Sequence, residues 1–388
     1  MIGNLPLSVQ RRAVFFIGGY DPKSADAFFA RHDRETGRFE ALWDVEVDQT
    51  AITKVTDDIT RASYETRGDG WTCHTDLLFL TLDDVVLADF DKPFLTRLAR
   101  YLRSFADYMI SGTAFSFARH AWRFFGYFLY PFVMLLLAFL VSLGVGYMIC
   151  RSGVSLYWLS APVIFLAAFS AFVQLGGKRY HVLHLMDLWS FSSDFLHARR
   201  ADMDEKLGRV AETIIAASNS DAYEEIVLVG HSTGGALMLD AAGRAFERSD
   251  GTARFSILTV GSTALKIGLH PAAGWFRKRL NEMLNSRSIA WFDYQCLTDI
   301  INFYRVDPAH LMGVESWEAV TVRAIRIREM VDKATYARMR GNFFRTHYQF
   351  VFGNTKPYHY DFPAICFGPH ELGDRAKLAR PIIKNELR

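Results

Sequence analysis

Two long stretches without a charged residue lie near the middle of this 388-residue chain. The first covers residues 124–150 and the second covers residues 152–177, and only Arg151 separates them. Each exceeds the roughly 20 residues that a helix needs to cross a bilayer core of about 30 Å. Soluble core helices seldom run this long without a charge. We therefore predict a two-helix transmembrane hairpin with spans of about 124–150 and 154–175; the alternative is a pair of buried core helices.

A hairpin places both of its long flanks on the same side of the membrane. The connecting turn carries only Arg151, whereas the flanks carry Arg119, Arg123, Lys178, Arg179, Arg199 and Arg200. By the positive-inside rule this difference predicts a double-pass protein of the cell's inner membrane, with both termini and the domain that the flanks form in the cytoplasm. The four cysteines have neither metal-ligand nor redox spacing, which agrees with a reducing compartment.

Just before the hairpin, residues 92–110 have the periodicity of an amphipathic helix, with Asp91 as its N-cap. Arg97, Arg100 and Arg103 lie on a different face from the apolar stripe, where they contact either anionic lipid headgroups or water. The apolar stripe consists of Phe94, Leu95, Leu98, Leu102, Phe105 and Met109.

Outside the hairpin, short apolar runs alternate with helical patterns. This alternation predicts an α/β fold with a mainly parallel sheet and helices on both of its faces. The strand-like runs are 12–17, part of 76–86, 225–229, 255–260, 288–293, 300–304 and 320–327, and the helical segments are 24–32, 202–218 and 233–246. The simplest organisation is one domain, formed by residues 1–118 and 181–388, that is interrupted by the hairpin at 119–180.

The strongest local motif is G-x-S-x-G, which spans Gly230 to Gly234. It follows an apolar strand and precedes a helix, which is the context in which such a serine is exposed at a sharp turn. Ser232 is then the candidate nucleophile, and the backbone N–H of Thr233 is a candidate oxyanion donor. The alternative is a tight turn in which Ser232 only caps the helix. His231 is interpreted as a packing residue.

This motif resembles the nucleophile elbow of the α/β-hydrolase superfamily, in its lipase and esterase branch. The resemblance implies that an acid and then a histidine follow the serine in the chain. Asp299 is the preferred acid and Asp293 the alternative. His347 is the preferred base, because it is closer to the last confident strand, and His359 is the alternative.

A second oxyanion donor is expected in a loop after an early strand. The strand at 12–17 ends in Gly18-Gly19-Tyr20, which resembles the superfamily's glycine-containing loop, but with Ile17 where many members have a histidine. The resemblance therefore implies a backbone N–H donor at Gly19 or Tyr20.

Together these features predict a membrane-anchored serine hydrolase that acts on an ester or thioester, with membrane lipids and a small acylated or ester substrate as its partners. No cofactor or metal is expected. The net charge of +2, from 44 basic and 42 acidic residues, is too balanced for a protein that binds nucleic acid by neutralising phosphates. The alternatives are an acyltransferase that uses the same triad and a non-catalytic membrane scaffold with a hydrolase fold.

Overall fold

A computed structural model describes residues 5–151, 157–171, 173, 181–316 and 319–379. The chain divides into two compact units. Unit 1 consists of Met1–Ala88 and Phe195–Arg388, and unit 2 consists of Asp89–Asp194. The predicted insertion at 119–180 lies inside unit 2, which also includes the residues on either side of it.

Unit 1 contains one nine-stranded mixed sheet. Neighbouring strands follow the order β2-β4-β5-β1-β6-β7-β8-β9, and β3 pairs with β4. All pairings from β5 through β1 to β9 are parallel, whereas β2, β3 and β5 pair antiparallel with β4. The strands are β1 (Arg11–Ile17), β2 (Glu46–Gln49), β3 (Thr53–Lys54), β4 (Ile59–Gly68), β5 (Trp71–Leu80), β6 (Glu225–His231), β7 (Ser256–Val260), β8 (Ala290–Cys296) and β9 (Val320–Ile325).

The α-helices are numbered along the chain. The first seven are α1 (Ala25–Trp43), α2 (Asp83–Phe90), α3 (Phe94–Ile110), α4 (Thr113–His120), α5 (Trp122–Arg151), α6 (Tyr157–Ala171) and α7 (Val182–Leu196). The following five are α8 (Ala201–Ser218), α9 (Gly234–Arg248), α10 (Leu265–Gly268), α11 (Gly274–Asn285) and α12 (Pro308–Leu311). The remaining five are α13 (Ile327–Met330), α14 (Lys333–Met339), α15 (Phe343–Tyr348), α16 (Phe362–Phe367) and α17 (Leu372–Leu378), and two short 3-10 helices cover Pro271–Ala273 and Gln349–Val351.

Helices cover both faces of the sheet. Alternate residues of its parallel strands point to opposite faces, so apolar side chains emerge on both faces and pack against helices there. On one face, Phe16 and Val229 pack in a large apolar cluster with Phe28 of α1 and Phe362 of α16. The opposite face is covered by α9, which packs against β1 and β6 and is flanked by α8 and α11. A sheet buried on both faces explains the continuous apolar runs of its strands.

The structure corrects three expectations about unit 1. The antiparallel strands β2, β3 and β4 were not predicted, because their alternating polar residues form a weaker pattern than a buried run. The strand predicted within 76–86 is present as β5, but it begins earlier, at Trp71, and ends at Leu80, and α2 begins at Asp83. The segment 300–304 is a loop rather than a strand.

Unit 2 is helical and contains α3 to α6 and most of α7. Among the described helices, only α5 is long and apolar enough to cross a membrane. Only 22% of its most apolar window is buried, unlike the helix of a soluble core. The second predicted span is described over α6, which has 15 residues. Residues 152–156 and 174–180, where the sequence predicts the hairpin turn and the end of the second span with Lys178 and Arg179, lie outside the described residues.

Two of the three arginines of α3, Arg97 and Arg100, are largely buried. Arg97 forms an ion pair with Asp187 of α7, and Arg100 pairs with Asp194 at 3.0 Å. Arg103 also pairs with Asp194, at 2.5 Å, but its side chain is 54% exposed. The expected contact with lipid headgroups or water is therefore wrong for Arg97 and Arg100, and it stays a prediction for Arg103. The expected N-cap is also wrong, because α3 begins at Phe94 with Pro93 in the cap position and no side-chain cap.

Candidate active site

The site lies at one edge of the sheet, where neighbouring parallel strands end together. The loop after β1 carries Gly18 and Gly19, and the turn after β6 carries Ser232. The turn after β7 carries Gly261, and the loop after β8 carries Asp299. Because the carboxyl ends of parallel strands meet at a single edge, residues distant in sequence are brought together there.

Ser232 occupies a strained turn between β6 and α9. Its φ is +58°, which is the left-handed region that non-glycine residues seldom adopt. The turn is held by backbone hydrogen bonds, since Ser232 N donates to Val260 O at 3.3 Å and Ser232 O accepts from Thr263 N at 3.0 Å. The serine is only partly buried. This geometry exposes the hydroxyl at the N-terminus of α9.

Glycines around the turn allow close backbone approaches. A Cβ atom at Gly230 would lie 2.6 Å from the Cα atom of Gly235, and one at Gly234 would collide with the carbonyl oxygens of Ile17 and Gly18. The G-x-S-x-G spacing is therefore needed for the helix to start directly against β1 and β6.

His347 and Asp299 form a buried pair. His347 Nδ1 lies 2.7 Å from Asp299 Oδ2, and both side chains are almost fully buried. A carboxylate only accepts hydrogen bonds, so Nδ1 carries the proton and the lone pair of the neutral ring is on Nε2. Within the part of the chain that the structure describes, His347 Nε2 is buried and has no hydrogen-bond partner. The arrangement suits a base that receives a proton at Nε2.

Gly261 connects the histidine with the serine turn. A Cβ atom at Gly261 would lie 3.1 Å from His347 Cε1, the ring carbon bonded to Nε2. Gly261 directly follows Val260, whose carbonyl oxygen accepts from Ser232 N. The φ of Gly261 is +54°, so both the conformation and the available space favour glycine here.

The loop that carries Asp299 is held by Asn302. Asn302 Nδ2 donates to the carbonyl oxygens of Asp299 at 2.7 Å and Cys296 at 2.9 Å. Asn302 Oδ1 accepts from Cys296 N at 3.1 Å, and Asp299 Oδ1 accepts from Ile301 N at 2.9 Å. These bonds fix the backbone around Asp299, so one carboxylate oxygen is directed at His347.

His231 packs against His347 and forms a hydrogen bond with its backbone. Its Nε2 donates to the carbonyl oxygen of His347 at 3.2 Å, and the two rings lie 4.5 Å apart. Burial, followed by the nearby His347, lowers the pKa of His231 well below its usual value. The ring is therefore neutral, and it packs against His347.

The two alternative residues have different surroundings. Asp293 lies within β8, where it accepts hydrogen bonds from Thr259 and from Gln295 Nε2, and burial raises its pKa to about 6. The His359 ring contacts Tyr358 at a centroid distance of 4.0 Å, and its carbonyl oxygen faces Arg375. Neither of these contacts involves Ser232 or the pair formed by Asp299 and His347.

Two of the expected oxyanion donors lie next to the serine. A Cβ atom at Gly19 would lie 3.3 Å from Ser232 Cβ and 3.5 Å from Ser232 Oγ, so the backbone there passes very close to the hydroxyl. Thr233 directly precedes α9, and the first N–H groups of a helix have no carbonyl partner within it. Tyr20 follows Gly19 and has a buried side chain.

Lys266 is a residue of this region that the sequence analysis did not single out. It lies in α10 and is buried, and its Nζ donates to Thr233 Oγ1 at 2.8 Å. Burial lowers the pKa of Lys266 well below its usual value. The available signal was a lone lysine within the otherwise uncharged run 255–276. The contact fixes the side chain of Thr233.

A model described as "Alpha/beta hydrolase family" matches residues 144–369, which is more than half of the chain. The match includes Ser232, Asp299 and His347, whereas Gly19 and Tyr20 precede it. Searches of curated proteins and of solved structures give no match.

Proposed function

Because the chain belongs to the alpha/beta hydrolase family, we propose that it is a membrane-anchored serine hydrolase that cleaves an ester or thioester. The observation that carries the proposal is the pair of His347 and Asp299. One ring nitrogen is bound to a buried carboxylate at 2.7 Å, and the other is buried without a partner among the described residues. The buried Nδ1 of His359 also has no partner among the described residues, so it is the bond to Asp299, together with the open Nε2, that favours proton transfer by His347.

The reaction has two halves. His347 Nε2 accepts the proton of Ser232 Oγ as the oxygen bonds to the carbonyl carbon of the substrate, and Asp299 stabilises the resulting imidazolium. The backbone N–H groups of Thr233 and of Gly19 or Tyr20 donate to the developing oxyanion. The bond to the leaving alcohol or thiol then breaks as His347 returns the proton. Water attacks the acyl-enzyme in the same way and releases the acid.

The membrane anchor is part of the proposal, and the topology of the sheet supports an even number of spans. The chain leaves the sheet after β5 and returns to it at β6, and β1 pairs directly with both of these strands. If α5 crosses the bilayer, a second crossing must bring the chain back, because a sheet cannot be divided by a membrane. A second span over 154–175 meets this requirement, with both termini in the cytoplasm and the catalytic unit tethered to membrane lipids.

The proposal is tested by labelling membrane fractions with a fluorophosphonate probe, which reacts with activated serines. We expect the wild type to label and Ser232→Ala to be unlabelled. His347→Gln should lose labelling, whereas the matched variant His359→Gln should retain it. Immunoblots against a terminal tag confirm equal amounts of protein in each fraction.

Two outcomes would contradict parts of the proposal. A wild-type protein that is present and never labels would contradict hydrolysis and favour a non-catalytic scaffold. Labelling that survives His347→Gln but is lost in His359→Gln would show that the base has been assigned to the wrong histidine.

A further inference from the structure

A small pocket lies beside the serine turn, on the side of the β1 loop. Its volume is about 360 Å³ with its mouth included. Gly18, Gly19 and His231 line it next to Ser232, and its other polar or charged lining residues are Asp21, Lys23, Arg31 and Tyr348. Because Gly19 is in contact with Ser232, a group bound in this pocket would lie next to the reacting carbonyl.

Arg31 is the unusual residue of this pocket. It lies on α1 and is only 7% exposed, and its Nε has no hydrogen-bond partner among the described residues. Arg31 contacts three aromatic rings. Its guanidinium carbon lies 5.3 Å from the centroid of the Phe28 ring and 5.7 Å from the centroids of the Tyr348 and Phe352 rings. An arginine keeps its charge in proteins, and a buried guanidinium normally binds a carboxylate or another acceptor.

The acidic residues nearest to Arg31 are bound to other groups. Asp21 accepts from Tyr348 OH at 2.5 Å and from Lys23 Nζ at 3.2 Å. Glu35 lies one helical turn after Arg31 and accepts from Arg38 at 2.6 Å and from Gly353 N at 2.9 Å. The ring contacts stabilise the charge of Arg31 in part, but they leave its planar N–H donors available.

We propose that this pocket binds an anionic group of the substrate, a carboxylate or a phosphate, and that Arg31 is its principal ligand. The inference rests on the proposed function, since it defines the substrate as an ester or thioester that carries a negative charge near the reacting carbonyl. Lys23 adds a second positive charge to the pocket. This charge offsets the negative charge of Asp21. His231 does not repel or attract the anion, because burial keeps its ring neutral.

Binding is tested without catalysis, on full-length Ser232→Ala protein in detergent. Thermal unfolding is measured with increasing methyl phosphate and, separately, with increasing succinate. We expect at least one of the two anions to raise the Tm, and the one that does so identifies the group. Ser232→Ala with Arg31→Gln should lose the shift, whereas Ser232→Ala with Arg34→Gln should retain it. Arg34 is the matched control because it lies on the same helix and, among the described residues, its side chain bonds to the Ala30 carbonyl oxygen alone.

Specificity is tested on the active protein with p-nitrophenyl butyrate and the p-nitrophenyl monoester of succinic acid. Arg31→Gln should raise KM for the charged ester about tenfold, as expected for a lost charge-assisted hydrogen bond. It should change kcat/KM for the neutral ester less than twofold, and Arg31→Lys should restore part of the preference.

The outcomes separate this inference from the proposed function. The inference is wrong if neither anion shifts the Tm of Ser232→Ala, or if Arg31→Gln affects both esters equally. If an anion raises the Tm but the active protein hydrolyses neither ester, the proposed function is contradicted, whereas the anion site is still supported.

Discussion

At the scale of single residues, the site combines a strained serine with a fixed histidine. The φ of +58° at Ser232 costs free energy that the glycine contacts and the backbone bonds to Val260 and Thr263 must offset. Asp299 receives the only hydrogen bond that the described structure shows for the His347 ring, so the carboxylate determines which nitrogen carries the proton. Loss of the Asp299 carboxylate should therefore impair proton transfer more than it lowers the stability of the fold.

We therefore expect Asp299→Asn to lower kcat/KM for p-nitrophenyl butyrate by a factor on the order of 10³ to 10⁴, because an amide no longer requires a proton on Nδ1. Its Tm should stay near that of the wild type. The matched variant is Asp293→Asn, which removes a buried carboxyl bound to Thr259 and Gln295 and should change the Tm more than the rate. Equal rate losses in the two variants would contradict the assignment of Asp299.

At the scale of elements, α3 packs in the opposite sense to a helix on the surface of a soluble domain. Its arginines are paired with aspartates of unit 2, whereas the apolar residues Leu95 and Leu102 are 76% and 56% exposed. The described apolar side chains of α3, α5 and α6 border a groove of about 2300 Å³. Exposed apolar surface of this extent favours contact with lipid chains over contact with water.

The exposure of Leu95 on α3 predicts that position 95 is in contact with lipid. In a Cys150→Ser background, an environment-sensitive fluorophore on Leu95→Cys should show blue-shifted emission in vesicles and should be quenched by spin-labelled lipids. The same fluorophore on Ile52→Cys, which is 41% exposed in unit 1, should respond to neither. Equal quenching at both positions, or none at position 95, would count against membrane contact by α3.

At the scale of the whole molecule, the sheet joins both sides of the insertion. Strands β1 to β5 precede unit 2 and β6 to β9 follow it, and the pairing of β1 with β6 joins the two sets. The family match begins at residue 144, so it includes only the second set. Unit 1 is therefore built from both segments, and its stability depends on groups buried throughout the sheet and in the helices that cover it.

His359 is one such group, and its burial makes the stability of the fold depend on pH. Burial lowers the pKa of His359 to about 4 from an ordinary value of 6.5. Between these two pKa values the unfolded chain binds a proton that the folded chain does not. The contribution of His359 to the free energy of unfolding is therefore complete above pH 6.5 and decreases as the pH falls toward 4. Asp293 and Asp361, whose pKa values burial raises to about 6, act in the opposite direction.

Lowering the pH from 7.5 to 5 should therefore decrease the Tm of His359→Gln less, or increase it more, than that of the wild type. Differential scanning fluorimetry in detergent measures both values. His74→Gln is a suitable control, because His74 lies on β5 with its side chain 52% exposed. A His359→Gln protein with the same pH dependence as the wild type would contradict this account.

The sequence by itself determined the features that depend on local pattern. The apolar runs predicted β1, β6, β7 and most of β8 and β9, because a strand buried on both faces leaves a continuous signal. The G-x-S-x-G spacing predicted the turn at Ser232, because only glycines fit where helix and strand backbones approach this closely. The arginine face of α3 was recognised as well, but not the side to which it points.

Only the tertiary structure decided which distant side chains meet. Asp299 and Asp293 are equally near the end of β8 in the sequence, yet the loop held by Asn302 turns only Asp299 toward His347. The pairing of Arg97 with Asp187 likewise depends on which helices are neighbours, and so does the absence of a partner for Arg31 Nε among the described residues. Local patterns record the burial of each residue, whereas partners and pockets depend on the crossing of elements far apart in the chain.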